Sequence, residues 1–121
     1  MFVKIEDISS ILCYNMMWRG EMKSIAFFGH RIVFNKESLE QKLIEVLKEV
    51  VPQGFSRLLI GCHGDFDKIA LSSCLFYRKN IDQDVNIAIV LTNLFLMQEN
   101  KNEYSRLDYY KNNRCETFFT I

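Results

Sequence analysis

The sequence lacks a surplus of either charge. Its 121 residues include fifteen Lys plus Arg and fifteen Asp plus Glu, so the formal net charge is zero. A protein whose main partner is nucleic acid or an anionic membrane carries an excess of Lys and Arg. The equal numbers of basic and acidic residues argue against both partners. At this length, with about half of the residues apolar, a single globular domain is expected.

Long hydrophobic runs are also missing. The longest uncharged run, residues 85–98, is shorter than the roughly 20 residues of a membrane-spanning helix. At the N-terminus, Glu6 and Asp7 closely follow Lys4, and no small-residue cleavage site appears, which argues against a secretory signal. The sequence therefore predicts a protein outside the membrane.

Cysteines are few and widely spaced. The four of them form no CxxC pair, so neither a disulfide scaffold nor a zinc site is indicated. We expect reduced thiols in a cytoplasmic protein, and no metal or other cofactor.

One proline and five glycines divide the chain into alternating segments. Apolar runs at residues 24–28, 57–60 and 85–92 predict strands, and helical periodicity follows each of the first two. Leu39, Leu43 and Leu47 mark the clearer helix, with Asn35 as N-cap and a stop near Pro52. Residues 103–111 predict a short helix and 116–121 a last extended segment. Strand–helix alternation predicts a Rossmann-like three-layer α/β fold with a mostly parallel sheet of three to four strands.

Residues 1–22 precede this pattern. We interpret them as an N-terminal extension with a candidate helix around residues 8–18, and residues 23–121 as the Rossmann-type domain. Whether the extension is native to the domain stays open at this point.

Two loops at predicted strand ends carry the candidate site, because ligands of such sheets bind beyond the carboxyl ends of the strands. Glycine permits close approach of a ligand, and a helix start or an arginine attracts an anion. The first loop holds Gly29, His30 and Arg31, and the second holds Gly61, Cys62, His63, Gly64, Asp65 and Asp67.

Each candidate also has a structural interpretation. The glycines serve equally well as turn residues, Asp65 as a helix cap, and Arg31 as a surface charge. Cys62 and His63 adjoin, but no activating context marks a nucleophile. Neither GxGxxG nor GxxxxGK[ST] occurs in the sequence, which argues against hydride transfer on a dinucleotide and against a P-loop ATPase.

Taken together, residues 24–31 (SIAFFGHR) and 59–67 (LIGCHGDFD) resemble the SLOG superfamily, Rossmann-like domains related to the LOG (lonely guy) and DprA proteins. They are most similar to a small bacterial and phage group with a GHR and a GxxGxFD motif. The resemblance implies binding of a nucleotide or nucleotide-derived small molecule by the two loops. The catalytic PGGxGTxxE motif of LOG enzymes is absent from the sequence, so the resemblance does not support phosphoribohydrolase activity, and whether the protein is an enzyme stays open with a preference for binding alone.

The family pattern continues beyond residue 121, which implies a domain that is partial at its C-terminus. The missing strand is expected beside the first one, leaving residues 25–28 as an open sheet edge unless the N-terminal extension or a second copy of the chain covers it. Two alternatives therefore remain: a LOG-type nucleotide phosphoribohydrolase, and a truncated, non-functional fragment that self-associates. DNA binding, as in DprA, is disfavoured by the neutral charge.

Overall fold

The structure, a computed structural model, describes residues 2–5, 9–14, 23–29, 32–62, 64–91 and 104–119. These residues form six strands and three α-helices. In chain order they are β1 (Phe2–Ile5), β2 (Ser9–Tyr14), β3 (Lys23–Gly29), α1 (Lys36–Val50), β4 (Phe55–Ile60), α2 (Gly64–Asn80), β5 (Asn86–Leu91), α3 (Tyr104–Asn112) and β6 (Glu116–Phe119).

The strands form one sheet in which their spatial order is their chain order. The four strands β3 to β6 are parallel, while β1 and β2 run antiparallel to each other and β2 runs antiparallel to β3. Helices α1 and α2 connect β3 to β4 and β4 to β5. The predicted α/β class, the parallel sheet and its Rossmann-like layering are confirmed.

Helix α1 forms as its periodicity predicts. Leu39, Leu43 and Leu47 lie on one face and are fully buried, and the Asn35 side chain accepts a hydrogen bond from the Ser38 N–H at 3.3 Å. This cap satisfies a helix-terminal donor that has no partner within the helix. A single 3₁₀ turn (Val51–Gln53) and Gly54, with φ of 104°, end the helix.

The two faces of the sheet differ in their packing. Ile25, Leu58 and Ile87 lie side by side across β3, β4 and β5 and are excluded from solvent. They share one core with buried side chains of all three helices. Consecutive right-handed crossovers that advance in one direction place their helices on the same face. The three described helices therefore contribute to one core with this face of the sheet.

The opposite face carries more polar side chains. Ser24, Arg57 and Asn86 are neighbours across the same three strands. The Arg57 guanidinium lies 3.9 Å from the Glu116 carboxylate of β6. At this exposure the ion pair contributes little to stability.

The N-terminal extension corrects one prediction. The helix expected around residues 8–18 is wrong over Ser9–Tyr14, which form strand β2. Ile11 pairs with Phe27 and Cys13 pairs with Ile25, so β2 covers the edge of β3 that the sequence left open. This is the first of the two coverings that the sequence analysis considered. The domain boundary at residues 22–23 stays a prediction.

No helix in the described part of the chain is long and apolar enough to cross a bilayer.

Candidate functional site

The two candidate loops leave the sheet at the same edge. Phe27 of β3 pairs in parallel with Ile60 of β4, so Gly29, the last residue of β3, and Gly61, the first residue after β4, lie at the carboxyl ends of neighbouring strands. Helix α2 begins at Gly64, whose φ is 86°. The structure therefore brings the described parts of both loops to the start of one helix.

The predicted site residues divide into two groups. Six are described and lie at this edge: Gly29, Gly61, Cys62, Gly64, Asp65 and Asp67. The other three, His30, Arg31 and His63, lie outside the described residues, and their roles stay predictions.

Gly29 is required by packing. A Cβ atom built on it would lie 2.1 Å from Cγ of Phe66, a buried residue of the first turns of α2. The aromatic ring of Phe66 thus occupies the space of any side chain at position 29. Glycine at this position therefore permits the close packing of the α2 residue Phe66 against the end of β3.

A side chain at Gly61 would also meet a residue of α2, but with a smaller conflict. Its Cβ would lie 2.9 Å from the nearer carboxylate oxygen of Asp67. Because this neighbour is the far end of a side chain that can rotate, the conflict is smaller than at Gly29. The Asp67 carboxylate therefore lies directly over the end of β4.

Asp65 connects the two loops. The Val33 N–H donates a hydrogen bond to Oδ2 of Asp65 at 3.2 Å. The predicted cap at Asp65 is wrong, because α2 already begins at Gly64, which puts Asp65 within the first turn. Asp65 and Asp67 both favour the positive end of the α2 dipole, so this helix start already carries two negative charges.

Arg106 of α3 is a site residue that the sequence analysis missed. Its Nη2 atom donates to the Cys62 carbonyl oxygen at 2.6 Å and lies 3.5 Å from the Tyr110 hydroxyl. Burial raises the pKa of Tyr110, although the neighbouring Arg106 opposes the rise. The i,i+4 spacing of the two residues on a short helix was the available signal, but it does not indicate the contact with Cys62.

Cys62 is itself buried, with 5% of its surface exposed. Its carbonyl group, not its thiol, makes the contact with Arg106. The residue thus fixes the path of the second loop against α3.

Two large apolar side chains near the site are exposed. Ile32 is 65% exposed and Phe34 is 96% exposed, and they flank Val33, which contacts Asp65. Exposure of a single apolar residue is common. Among the described residues these are the two large apolar side chains with the greatest exposure, and their sequence pattern did not indicate it.

Among the described residues, no group of three or more His, Cys, Asp or Glu side chains is placed to hold a metal ion.

No protein family model, no curated protein and no solved structure matches this chain.

Proposed function

We propose that this protein is a SLOG-like domain that binds a nucleotide or nucleotide-derived small molecule where β3 and β4 end. The observation that carries the proposal is the meeting of two glycine-ended parallel strands at the start of α2, with Asp65 connecting their loops. In parallel α/β sheets, ligands bind outside the carboxyl ends of the strands.

The charges suggest how such a ligand is oriented. The carboxylates of Asp65 and Asp67 accept hydrogen bonds from ribose hydroxyls or amino groups, but they repel phosphate. We therefore assign the sugar to the side of α2. The phosphate is assigned to the segment after β3, where the sequence has His30 and Arg31, because a guanidinium donates two parallel hydrogen bonds to phosphate.

The exposed ring of Phe34 provides a surface for the base. It follows directly on Val33, which is fixed to Asp65, and nearly all of its surface faces solvent. Stacking of a base on an aromatic side chain contributes about 1–3 kcal/mol. The proposal thus pairs the phosphate with the basic sequence after β3, the sugar with the α2 carboxylates and the base with the Phe34 ring.

Calorimetric titration tests the proposal with AMP, ADP-ribose and adenosine as probes. We expect Arg31→Gln to weaken AMP binding by about tenfold or more and to change adenosine binding little. Phe34→Ala weakens both. The matched control is Phe76→Ala, which removes a half-exposed ring from α2 outside the proposed site.

Three outcomes overturn the proposal: no heat with any probe, affinities unchanged in both site variants, or equal losses in Phe76→Ala. The same mixtures, analysed for free base, test the LOG-type hydrolase. Release of base that Arg31→Gln abolishes would replace the binding proposal with that enzyme.

A further inference from the structure

A cavity of about 330 Å³ lies at the opposite end of the fold. It is lined by the last turn of α2, the loop before β5 and the turn before β6, so it lies at the amino ends of the parallel strands. The α2 residues that line the cavity lie 11 to 15 positions after Gly64, which separates the cavity from the α2 start by roughly 20 Å. It is therefore independent of the proposed nucleotide site.

The lining of this cavity is basic. It contains three cations and three amide side chains: Arg78, Lys79, Arg114, Gln83, Asn112 and Asn113. None of the residues that line it is acidic. Asp82 and Asp84 flank Gln83 in the chain but are not part of the lining, and the Asp82 carboxylate accepts a hydrogen bond from the Asp84 N–H at 2.9 Å.

Helix dipoles account for only part of this charge. The C-terminal ends of α2 and α3 border the cavity, and each is equivalent to about half a negative charge. Cations in a last helical turn are favourable for that reason. Three cations exceed the two helix ends, so the lining keeps an excess of about two positive charges, counted without Asp82 and Asp84, which lie outside it.

Arg78 is held rigidly beside the cavity. It is 8% exposed. Its Nη1 atom donates to the Arg114 carbonyl oxygen at 3.1 Å, and Nη2 donates to the Asn113 carbonyl oxygen. Among the described residues no carboxylate pairs with it. A buried cation that meets only neutral acceptors favours an anion close by.

Arg114 is the second arginine of the lining, and it lies in the turn that ends α3. Its φ is 55°, and within the described part of the chain it is the one non-glycine residue with positive φ. Glycine or asparagine adopts this conformation at less cost. A left-handed residue commonly ends a helix, so the turn after α3 accounts for this φ, and the arginine at this position adds its charge to the lining.

We propose that this cavity binds a small multivalent oxyanion of the di- or polyphosphate type. Arg78 is fixed in place and contributes the permanent charge, while Lys79 and Arg114 contact the anion from the open side. The volume is at the lower end of small-molecule sites, which suits a compact anion better than a peptide.

Inorganic pyrophosphate is the probe, added to the full chain labelled with ¹⁵N. We expect saturable shifts of the side-chain amide signals of Gln83, Asn112 and Asn113, with a dissociation constant of about 1 mM or lower. Affinity falls as sodium chloride is raised, because the interaction is electrostatic. Acetate, a monovalent anion, should shift these signals much less.

Two variants test the residues. Arg114→Asn removes a charge while suiting the backbone conformation, and Lys79→Gln removes an exposed charge. Each should weaken pyrophosphate binding by about tenfold with no loss of folding. The control is Lys48→Gln, because Lys48 is also an exposed lysine in a last helical turn, that of α1.

The proposal is overturned by the absence of shifts at about 10 mM pyrophosphate, or by equal responses to acetate and pyrophosphate. It is also overturned if Lys48→Gln weakens binding as much as Lys79→Gln, which would show unspecific attraction. None of these results bears on Arg31 or Phe34, so the two proposals fail separately.

Discussion

The ring of Phe66 fills the space that a side chain at position 29, the end of β3, would need. We predict that Gly29→Ala lowers the free energy of unfolding by about 2 kcal/mol, because overpacking a tight contact forces both elements apart. Urea denaturation monitored by circular dichroism measures the loss. In the double variant Gly29→Ala/Phe66→Leu, the smaller leucine side chain leaves room for the alanine methyl group. The losses in the free energy of unfolding should therefore be strongly non-additive.

Gly61→Ala is the matched comparison. Its Cβ meets the carboxylate of Asp67 at 2.9 Å, and that group can turn away at small cost. A Gly61→Ala loss as large as that of Gly29→Ala would contradict the packing explanation for Gly29.

The described thiols are buried. Cys62, Cys74 and Cys115 are free and inaccessible. Burial raises the pKa of Cys74 and, with Arg78 in opposition, that of Cys115. At pH 8 we expect slow reaction of all three with a thiol reagent in the folded protein, measured in a Cys13→Ser background, and rapid reaction in urea. Fast labelling without urea would contradict this.

The same pKa shifts predict how stability depends on pH. Because the folded-state pKa of Cys74 and Cys115 lies above the ordinary value of 9.0, their contribution is complete below about pH 9 and is lost as the pH rises further. The slope is on the order of 1 kcal/mol per pH unit for each thiol. Urea denaturation at pH 8, 9 and 10 should show this decline.

The double variant Cys74→Ala/Cys115→Ala is the control for that decline. Tyr77 and Tyr110, whose pKa values burial also raises, remain in it and add a decrease near pH 10. If the variant loses stability between pH 8 and pH 9.5 as steeply as the parent, the thiols are not the cause.

At the scale of elements, Arg78 joins α2 to the turn before β6. It supplies donors to two carbonyl groups of that turn. We expect Arg78→Met to lower the free energy of unfolding by about 2–3 kcal/mol, because charged hydrogen bonds to part-buried acceptors are lost. Amide hydrogen exchange at Cys115 and Glu116 should accelerate at the same time.

Lys79→Met is the matched control for Arg78→Met. Lys79 is the next residue along α2 but is exposed, so the change should stay within about 0.5 kcal/mol. A similar loss in both variants would mean that the carbonyl contacts of Arg78 contribute nothing specific.

Most elements could be predicted from the sequence, because local patterns specify them. The leucine spacing of α1 and the Asn35 cap, and the β-branched run of β5, need no distant partner to be recognised. Strand β2 could not be predicted from its local pattern. A short apolar run fits a helix or a strand equally well, and the open edge of β3, which is distant in sequence, decides between them.

At the scale of the whole molecule, β2 protects the parallel sheet. It occupies one side of β3 by antiparallel pairing from Ser9–Gly29 to Tyr14–Ser24. Removal of residues 1–22 would expose the backbone N–H and C=O groups of β3 beside the apolar side chains of Ile25 and Phe27. We predict that the shortened chain self-associates through this edge, measured by sedimentation velocity against the full chain.

Charged substitutions at Ile25 and Phe27 would disrupt the core in which both side chains are buried. The control therefore changes a backbone N–H group of β3 instead. Ala26→Pro in the shortened chain removes one edge donor and should reduce association. A shortened chain that stays monomeric at about 100 µM, a concentration at which edge pairing is expected to be visible, would contradict the protective role of β2.

The candidate site was predicted in part. The positions of Gly29 and Gly61 follow from where strands end, and parallel pairing places them together. The role of Gly29 and the contact of Asp65 with Val33 required the structure, because each depends on a residue from another segment. Arg106 and the basic cavity were not predicted, since the residues that form them are far apart in the chain.

The sequence by itself determined the α/β class, the positions of α1, α2, β3, β4 and β5, and the edge of the sheet where the two glycine loops lie. Periodicity and caps act between residues a few positions apart, so they can be read along the chain. Only the tertiary structure decided that β2 is a strand, that Phe66 excludes a side chain at Gly29, and that Arg78, Lys79 and Arg114 share a cavity. These features depend on which surfaces meet, and that is fixed when the segments pack.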